Sequence, residues 1–176
     1  FPGAIALIAR GPLAGWHAAR GDAQVIPDRC PTSLETLYDL ASLTKVTAAL
    51  PVALALYRQG RFALDDPVSA VIPEFSGGAR ARVTFRHLLA HTSGLPSWKA
   101  LYLRAASPEA MLAAVCATPL SAAPGARVEY SDLGILLLGA ALEHLAGRRI
   151  DALVEDVVIR PLELRHTLYT PPASLR

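Results

Sequence analysis

The chain has 176 residues, of which 52% are hydrophobic and 18% charged, and its formal net charge is +2 at pH 7. This composition excludes a disordered or low-complexity chain and predicts a globular domain with a core. The arginines are scattered and form no basic run, so nothing supports nucleic-acid binding. The longest apolar runs are about half of the roughly 20 residues that a membrane span requires, so we expect no membrane span.

Two strands joined as a hairpin are predicted at the start of the chain. They cover Gly3–Arg10 and Gly15–Val25, and the turn residues Gly11 and Pro12 separate them. Residues 26–33 contain two prolines and are predicted to form a loop. Because a two-stranded hairpin is only marginally stable, we expect further strands or a packed partner.

The rest of the chain is predicted to be mostly helical. Helices are expected over residues 84–91, 109–117, 133–146 and 151–159, with another one starting near Ser42. Thr84 and Ser107 are the predicted N-caps, and Gly147 is the predicted end of the helix before it. Cys30 and Cys116 lack metal-ligand spacing, and we expect two buried free thiols.

Ser42 and Lys45 form the first candidate for chemistry. Residues three apart lie on one face of a helix, so the two side chains should meet. A serine hydroxyl becomes a nucleophile when a base takes its proton, and burial beside the apolar run after Lys45 is expected to lower the pKa of this lysine enough for that role. An accidental pair in a helical interaction module is the alternative that the spacing alone leaves open.

Three segments in order carry a family resemblance: "LASLTK" at residues 40–45, "LLAHTSGLP" at 88–96 and "PGARVEYSDLGILLLG" at 124–139. The chain resembles the serine β-lactamase and penicillin-binding-protein superfamily, in its class C β-lactamase, D,D-peptidase and esterase branch. The resemblance implies an α+β fold of the β-lactamase/transpeptidase type. Only the N-terminal hairpin of its antiparallel sheet and the mostly helical domain are expected here.

The resemblance also implies roles for individual residues. Ser42 would be the acylated nucleophile, Lys45 its proton partner, and the Ser42 backbone N–H one oxyanion donor. Tyr130, in the Tyr130-Ser131-Asp132 motif, would be a second acid/base group, its phenol made more acidic by the nearby ammonium. His91 and Ser93 belong to a recurrent structural corner of the family, so we expect no chemistry from them, and the other histidines are read as surface or packing residues.

Asp132 departs from the family pattern, which usually has asparagine there. An ionised carboxylate accepts hydrogen bonds but cannot donate one to a substrate carbonyl. If Asp132 faces Lys45, the ion pair should also raise the pKa of the lysine. Asp132 is therefore a site-supporting or substrate-binding residue that disfavours recognition of an amide side chain, as in β-lactams and peptides, and affects simple ester hydrolysis less. It favours an esterase or peptidase activity.

The family's third motif, Lys-Thr-Gly or His-x-Gly on a strand beside the site, does not follow Asp132. Together with the unpartnered hairpin, this predicts an N-terminal half of the fold, with sheet strands in residues 1–40, the nucleophile helix and helical domain in 41–176, and the C-terminal strands absent. The missing half, as a separate chain or further segment, is the expected partner.

The predicted function is a serine hydrolase that forms an acyl-enzyme on Ser42, with a β-lactam, a D-alanyl peptide or a small ester as substrate. No metal or organic cofactor is expected. A catalytically inactive family member or fragment that acts as a binding or scaffold protein is the alternative. Phe1-Pro2-Gly3 shows no signal-peptide features, so we expect a mature or trimmed chain and assign no compartment.

Overall fold

A computed structural model describes residues 1–173 of the chain, except for the side chain of Ala14. The fold is α+β, with a small antiparallel sheet followed by helices. The described residues form two compact units: residues 1–40 with 171–173 make one, and residues 41–170 make the other.

The first unit contains a three-stranded antiparallel sheet in the order β1-β2-β3. The strands are β1 (Gly3–Arg10), β2 (Leu13–Gln24) and β3 (Cys30–Pro31). The predicted hairpin is confirmed, with Gly3 opposite Gly21 and Arg10 opposite Leu13. The prediction of a loop throughout residues 26–33 was wrong, because β3 lies inside it; a two-residue strand is too short to leave an alternating pattern.

Five α-helices lie in the second unit. They are α1 (Leu50–Arg58), α2 (Phe85–Leu89), α3 (Pro108–Ala117), α4 (Asp132–Ala146) and α5 (Ile150–Val154). The predicted caps are confirmed. Thr84 accepts a hydrogen bond from the His87 N–H, Ser107 accepts one from the Ala110 N–H, and Gly147 ends α4 with a φ of 65°. The predicted last helix, 151–159, is helical throughout, with Glu155–Ile159 continuing α5 as a wider π-helical turn.

A second π-helical turn, Lys45–Ala49, leads into α1. The N–H of Leu50 reaches back five residues to the Lys45 carbonyl, and Pro51 follows in the first turn of α1. A proline ring would collide with the carbonyl four residues earlier in a regular helix. The wider turn accommodates that ring, and turns of this kind are frequent at functional sites.

The core of the second unit lies between α4 and the elements around it. Five residues of α4 are almost completely buried: Leu133, Leu137, Leu138, Ala141 and Leu142. Phe62 and Phe85 pack with ring centroids 4.3 Å apart, in the same cluster. This packing fixes α4, whose first residue is Asp132.

The cysteine prediction was half wrong: Cys116 is buried, but Cys30 is exposed on β3. No helix within residues 1–173 is long and apolar enough to cross a bilayer.

Candidate active site

Ser42 and Lys45 meet as their spacing predicts. Ser42 lies in the turn that precedes the π-helical turn, and Lys45 Nζ donates a hydrogen bond to Ser42 Oγ at 3.0 Å. The backbone N–H of Lys45 also bonds to the Ser42 carbonyl, at 3.1 Å. Ser42 is exposed, so its hydroxyl is accessible to a substrate.

Asp132 forms an ion pair with the same ammonium. Its Oδ1 lies 2.7 Å from Lys45 Nζ, and the lysine side chain is only 14% exposed. Burial by itself lowers the pKa of Lys45, but hydrogen bonds and charge from Asp132 and Tyr130 outweigh it and raise the pKa above its ordinary value. The expectation that burial would turn Lys45 into a neutral base was therefore wrong, because the carboxylate keeps this lysine a cation.

Tyr130 is the third member of the cluster, and its hydroxyl is the group whose acidity increases. Hydrogen bonds with Ser42 and then with Lys45 lower the pKa of the Tyr130 phenol, against the opposing charge of Asp132. Lys45 Nζ lies 4.9 Å from the centre of the tyrosine ring. These contacts therefore make loss of the phenolic proton easier than in a free tyrosine.

Backbone and side-chain hydrogen bonds hold Tyr130 in place by joining residues 91–97 to residues 129–132. The Glu129 N–H bonds to the His91 carbonyl and the Asp132 N–H to the Ser97 carbonyl, both at 2.8 Å. Between them, the buried Ser131 Oγ donates to the Pro96 carbonyl at 2.7 Å and accepts the Gly134 N–H at 3.0 Å. The residues on either side of Tyr130 in sequence are therefore held by hydrogen bonds, which fixes the position of Tyr130.

His91, for which the sequence predicted a structural position and no chemistry, contacts the site as a supporting residue. Its ring packs on the Tyr130 ring with centroids 4.6 Å apart, and its Nδ1 accepts the Ser131 N–H at 3.1 Å. Burial, and then the charge of Lys45, lower the pKa of His91, so the ring stays neutral and keeps its acceptor. The only sequence signal was its place at the head of "HTSGLP".

Ser93 and Gly94, in the segment 91–97, also make structural contacts. The Ser93 hydroxyl is buried and accepts the Leu95 N–H at 3.2 Å. Gly94 has a φ of 82°, and a Cβ there would overlap the Ala122 carbonyl oxygen. Only glycine fits this close approach.

A large cavity adjoins the cluster within the second unit. Its volume is ≈ 890 Å³, and its lining includes Ser42, Lys45 and Asp132 together with apolar side chains of α3 and α4. In residues 1–173, no group of three or more His, Cys, Asp or Glu side chains could hold a metal ion. The arrangement can therefore offer a substrate a hydroxyl, a phenol of lowered pKa, a fixed ammonium and an apolar surface.

Comparison with known proteins gives a family match along the whole chain. A family model described as beta-lactamase matches residues 1–176. The esterase EstB of Burkholderia gladioli is 36% identical, over 93% of this chain and 46% of that protein. The chain thus spans about half the length of the curated relatives it matches.

Solved structures agree on the fold. An octameric penicillin-binding protein homologue from Pyrococcus abyssi is 28% identical, with a TM-score of 0.78 over 93% of this chain and 39% of that one. A class C beta-lactamase is 24% identical, with a TM-score of 0.82 over 99% of this chain and 47% of that one. At this identity the similarity shows the fold alone.

Proposed function

Because this chain belongs to the beta-lactamase family, we propose that it carries the nucleophile of a serine hydrolase that works through an acyl-enzyme on Ser42. The observation that supports this most is the position of Lys45 Nζ, which bonds to Ser42 Oγ at 3.0 Å and pairs with Asp132 at 2.7 Å. An ammonium held in this way stabilises negative charge on both the serine and the tyrosine oxygen.

In the proposed acylation, the Tyr130 phenolate takes the proton from Ser42 Oγ as that oxygen bonds to the substrate carbonyl carbon. The bond from this carbon to the leaving oxygen or nitrogen then breaks, and the leaving group departs with the proton from Tyr130. Water attacks the acyl-enzyme in the second half, releases the carboxylic acid and restores the serine. The backbone N–H of Ser42 is one oxyanion donor.

The proposed substrate is a carboxylic ester. Asp132 pairs with Lys45 and, as a carboxylate, cannot donate a hydrogen bond to the amide carbonyl of a β-lactam or peptide side chain. An ester that lacks such an amide loses no hydrogen bond when aspartate stands at position 132 in place of the family's usual asparagine. The similarity to an esterase agrees with this choice.

We further propose that the rest of the fold, the chain's expected partner, supplies a second oxyanion donor and the opposite wall of the cleft. The relatives and solved structures are about twice the length that the chain covers. Ser42 already has its proton partners within residues 41–170, so we expect this chain to react with an activated probe before it turns over an ordinary ester.

Intact-protein mass spectrometry after exposure to a fluorophosphonate and to a penicillin tests the proposal. We expect a phosphonate adduct that Ser42→Ala abolishes and Ser93→Ala, a matched control at a buried hydroxyl, retains. We expect the penicillin adduct to be much slower or absent. If neither probe labels the chain with or without its complementing half, the inactive binding or scaffold alternative replaces the enzyme.

A further inference from the structure

An apolar groove runs from Ser42 along one face of α4. Asp132, Leu136, Gly139 and Glu143 line it at helical spacings of four, three and four residues. With a rise of 1.5 Å per residue, this face is about 16 Å long. The groove is thus the part of the ≈ 890 Å³ cavity that leads away from the nucleophile.

The α3 part of the lining is also apolar, while Tyr102, Ser107 and Tyr169 are polar members of the rest of the lining. Met111, Leu112 and Val115 of α3 line the groove, on one face of that helix. Its charged lining residues are Lys45 and Asp132 beside Ser42, the exposed Lys99, and Glu143, whose Oε1 already accepts the Ile150 N–H at 2.6 Å. Between the two ends of the α4 face, Leu136 and Gly139 offer a ligand apolar contact and no polar side chain.

Gly139 keeps the middle of the groove open. A Cβ placed there would meet no atom within 4 Å, so there is room for a side chain at this position. Glycine inside a helix is less stable than almost any other residue, by about 1 kcal/mol relative to alanine. The position lies about 10 Å along α4 from Asp132, in the direction away from the nucleophile.

We propose that this groove binds the acyl chain of an ester with a medium or long aliphatic acid, a proposal that rests on the proposed acylation of Ser42. An extended chain of about 12 carbons matches the length of the α4 face. The acyl chain stays bonded to Ser42 Oγ while the alcohol leaves with its proton. It therefore lies in the groove until water releases the acid.

Amide-rich substrates fit the groove poorly. Each amide of a peptide or β-lactam side chain would lose its water and find no partner in the apolar part, which is unfavourable. Burial of each methylene instead improves binding roughly threefold. The groove therefore selects for aliphatic length.

A chain-length series of fluorophosphonates tests this, with butyl, octyl or dodecyl on phosphorus as the mimic of the acyl chain. In the unmodified chain, we expect the rate constant for Ser42 labelling to rise at least about tenfold from butyl to octyl. Gly139→Phe fills the groove, and the octyl-to-butyl ratio should fall to near one. His144→Phe, on an exposed position of α4 outside the groove, should keep the ratio.

Binding of dodecanoate to the Ser42→Ala chain, measured by calorimetry against butyrate, gives a readout that needs no reaction. Dodecanoate should bind more tightly, and adding Gly139→Phe should abolish the difference. Butyl labelling with no gain at octyl and no dodecanoate binding would overturn the groove and leave the hydrolase standing. Dodecanoate binding that depends on Gly139, without labelling by any probe, would support the groove and contradict the hydrolase.

Discussion

The carboxylate of Asp132 affects both proton-carrying groups beside Ser42. It raises the pKa of Lys45 through their hydrogen bond, and its negative charge opposes the lowering of the Tyr130 pKa. Asp132 therefore influences the pKa of both groups, and its direct ion pair is with Lys45.

Asp132→Asn should shift the pH profile of the Ser42 labelling rate to lower pH. Without the carboxylate, the Tyr130 phenolate is easier to form, so its pKa falls further and the rising limb of the fluorophosphonate rate shifts to lower pH. Asp65→Asn breaks an exposed ion pair with Arg86 elsewhere and should leave the profile unchanged. A limb that moves to higher pH in Asp132→Asn would show that Tyr130 is not the base.

Ala41, the residue before the nucleophile, has a φ of 44°, in the left-handed region. An L-residue there is strained by about 1–2 kcal/mol, and a β-branched side chain increases the strain. We expect Ala41→Gly to change the free energy of unfolding by less than about 0.5 kcal/mol, because relief of strain offsets the extra freedom of the unfolded chain. Ala41→Val should cost about 2 kcal/mol.

Ala113, exposed in α3, provides the matched pair for urea unfolding. In an ordinary helix, glycine costs about 1 kcal/mol and valine less, so the order of the two substitutions should be reversed relative to Ala41. The same order at both positions would contradict a left-handed Ala41.

At the scale of elements, Ser131 joins the start of α4 to the segment before α3. Its hydroxyl caps the Gly134 N–H and bonds to the Pro96 carbonyl, and the residue is 1% exposed. Ser131→Ala should lower the free energy of unfolding by about 2 kcal/mol, because it removes a cap and leaves the Pro96 carbonyl without this donor. Urea unfolding measures the loss.

Ser107 is the control for this prediction, since it caps α3 on an exposed surface through one bond to the Ala110 N–H. Ser107→Ala should cost about 0.5–1 kcal/mol. Equal losses at the two serines would mean that the Pro96 bond contributes little.

Local features of the chain were predictable from sequence, and long-range ones were not. Thr84, Ser107 and Gly147 act within one turn of their own helices, and Ser42 meets Lys45 three residues away. Strand β3 is too short to leave a pattern, and the packing of His91 on Tyr130 depends on a partner distant in sequence. The raised pKa of Lys45 was predicted only on the condition that Asp132 faces the lysine, a contact that the sequence alone does not fix. The family resemblance, not periodicity, supplied Tyr130.

At the scale of the whole molecule, the three-stranded sheet leaves apolar side chains on both faces. Leu7 and Ile8 are 63% and 64% exposed, and neighbouring residues of a strand point to opposite faces. Trp16, opposite Ile8 on β2, is also exposed. Exposed apolar area of this kind favours association with another protein surface.

We therefore expect the chain alone to self-associate, as seen by light scattering coupled to size-exclusion chromatography over a range of concentrations. The double substitution Ile8→Lys and Trp16→Lys should reduce the association, because it places two charges on one face. Arg10→Lys, which leaves both faces apolar, is the control. A monomer at every concentration would contradict this expectation.

The central claim is that Ser42 becomes acylated, and rapid-quench mass spectrometry with p-nitrophenyl butyrate tests it most directly. Acid quenching after short reaction times should trap a butyryl group on the peptide that contains Ser42. The adduct should be absent in Ser42→Ala and should accumulate far more slowly in Tyr130→Phe, which lacks the proposed phenolate base. A butyryl group on another residue, or equal accumulation in Ser42→Ala, would contradict the account.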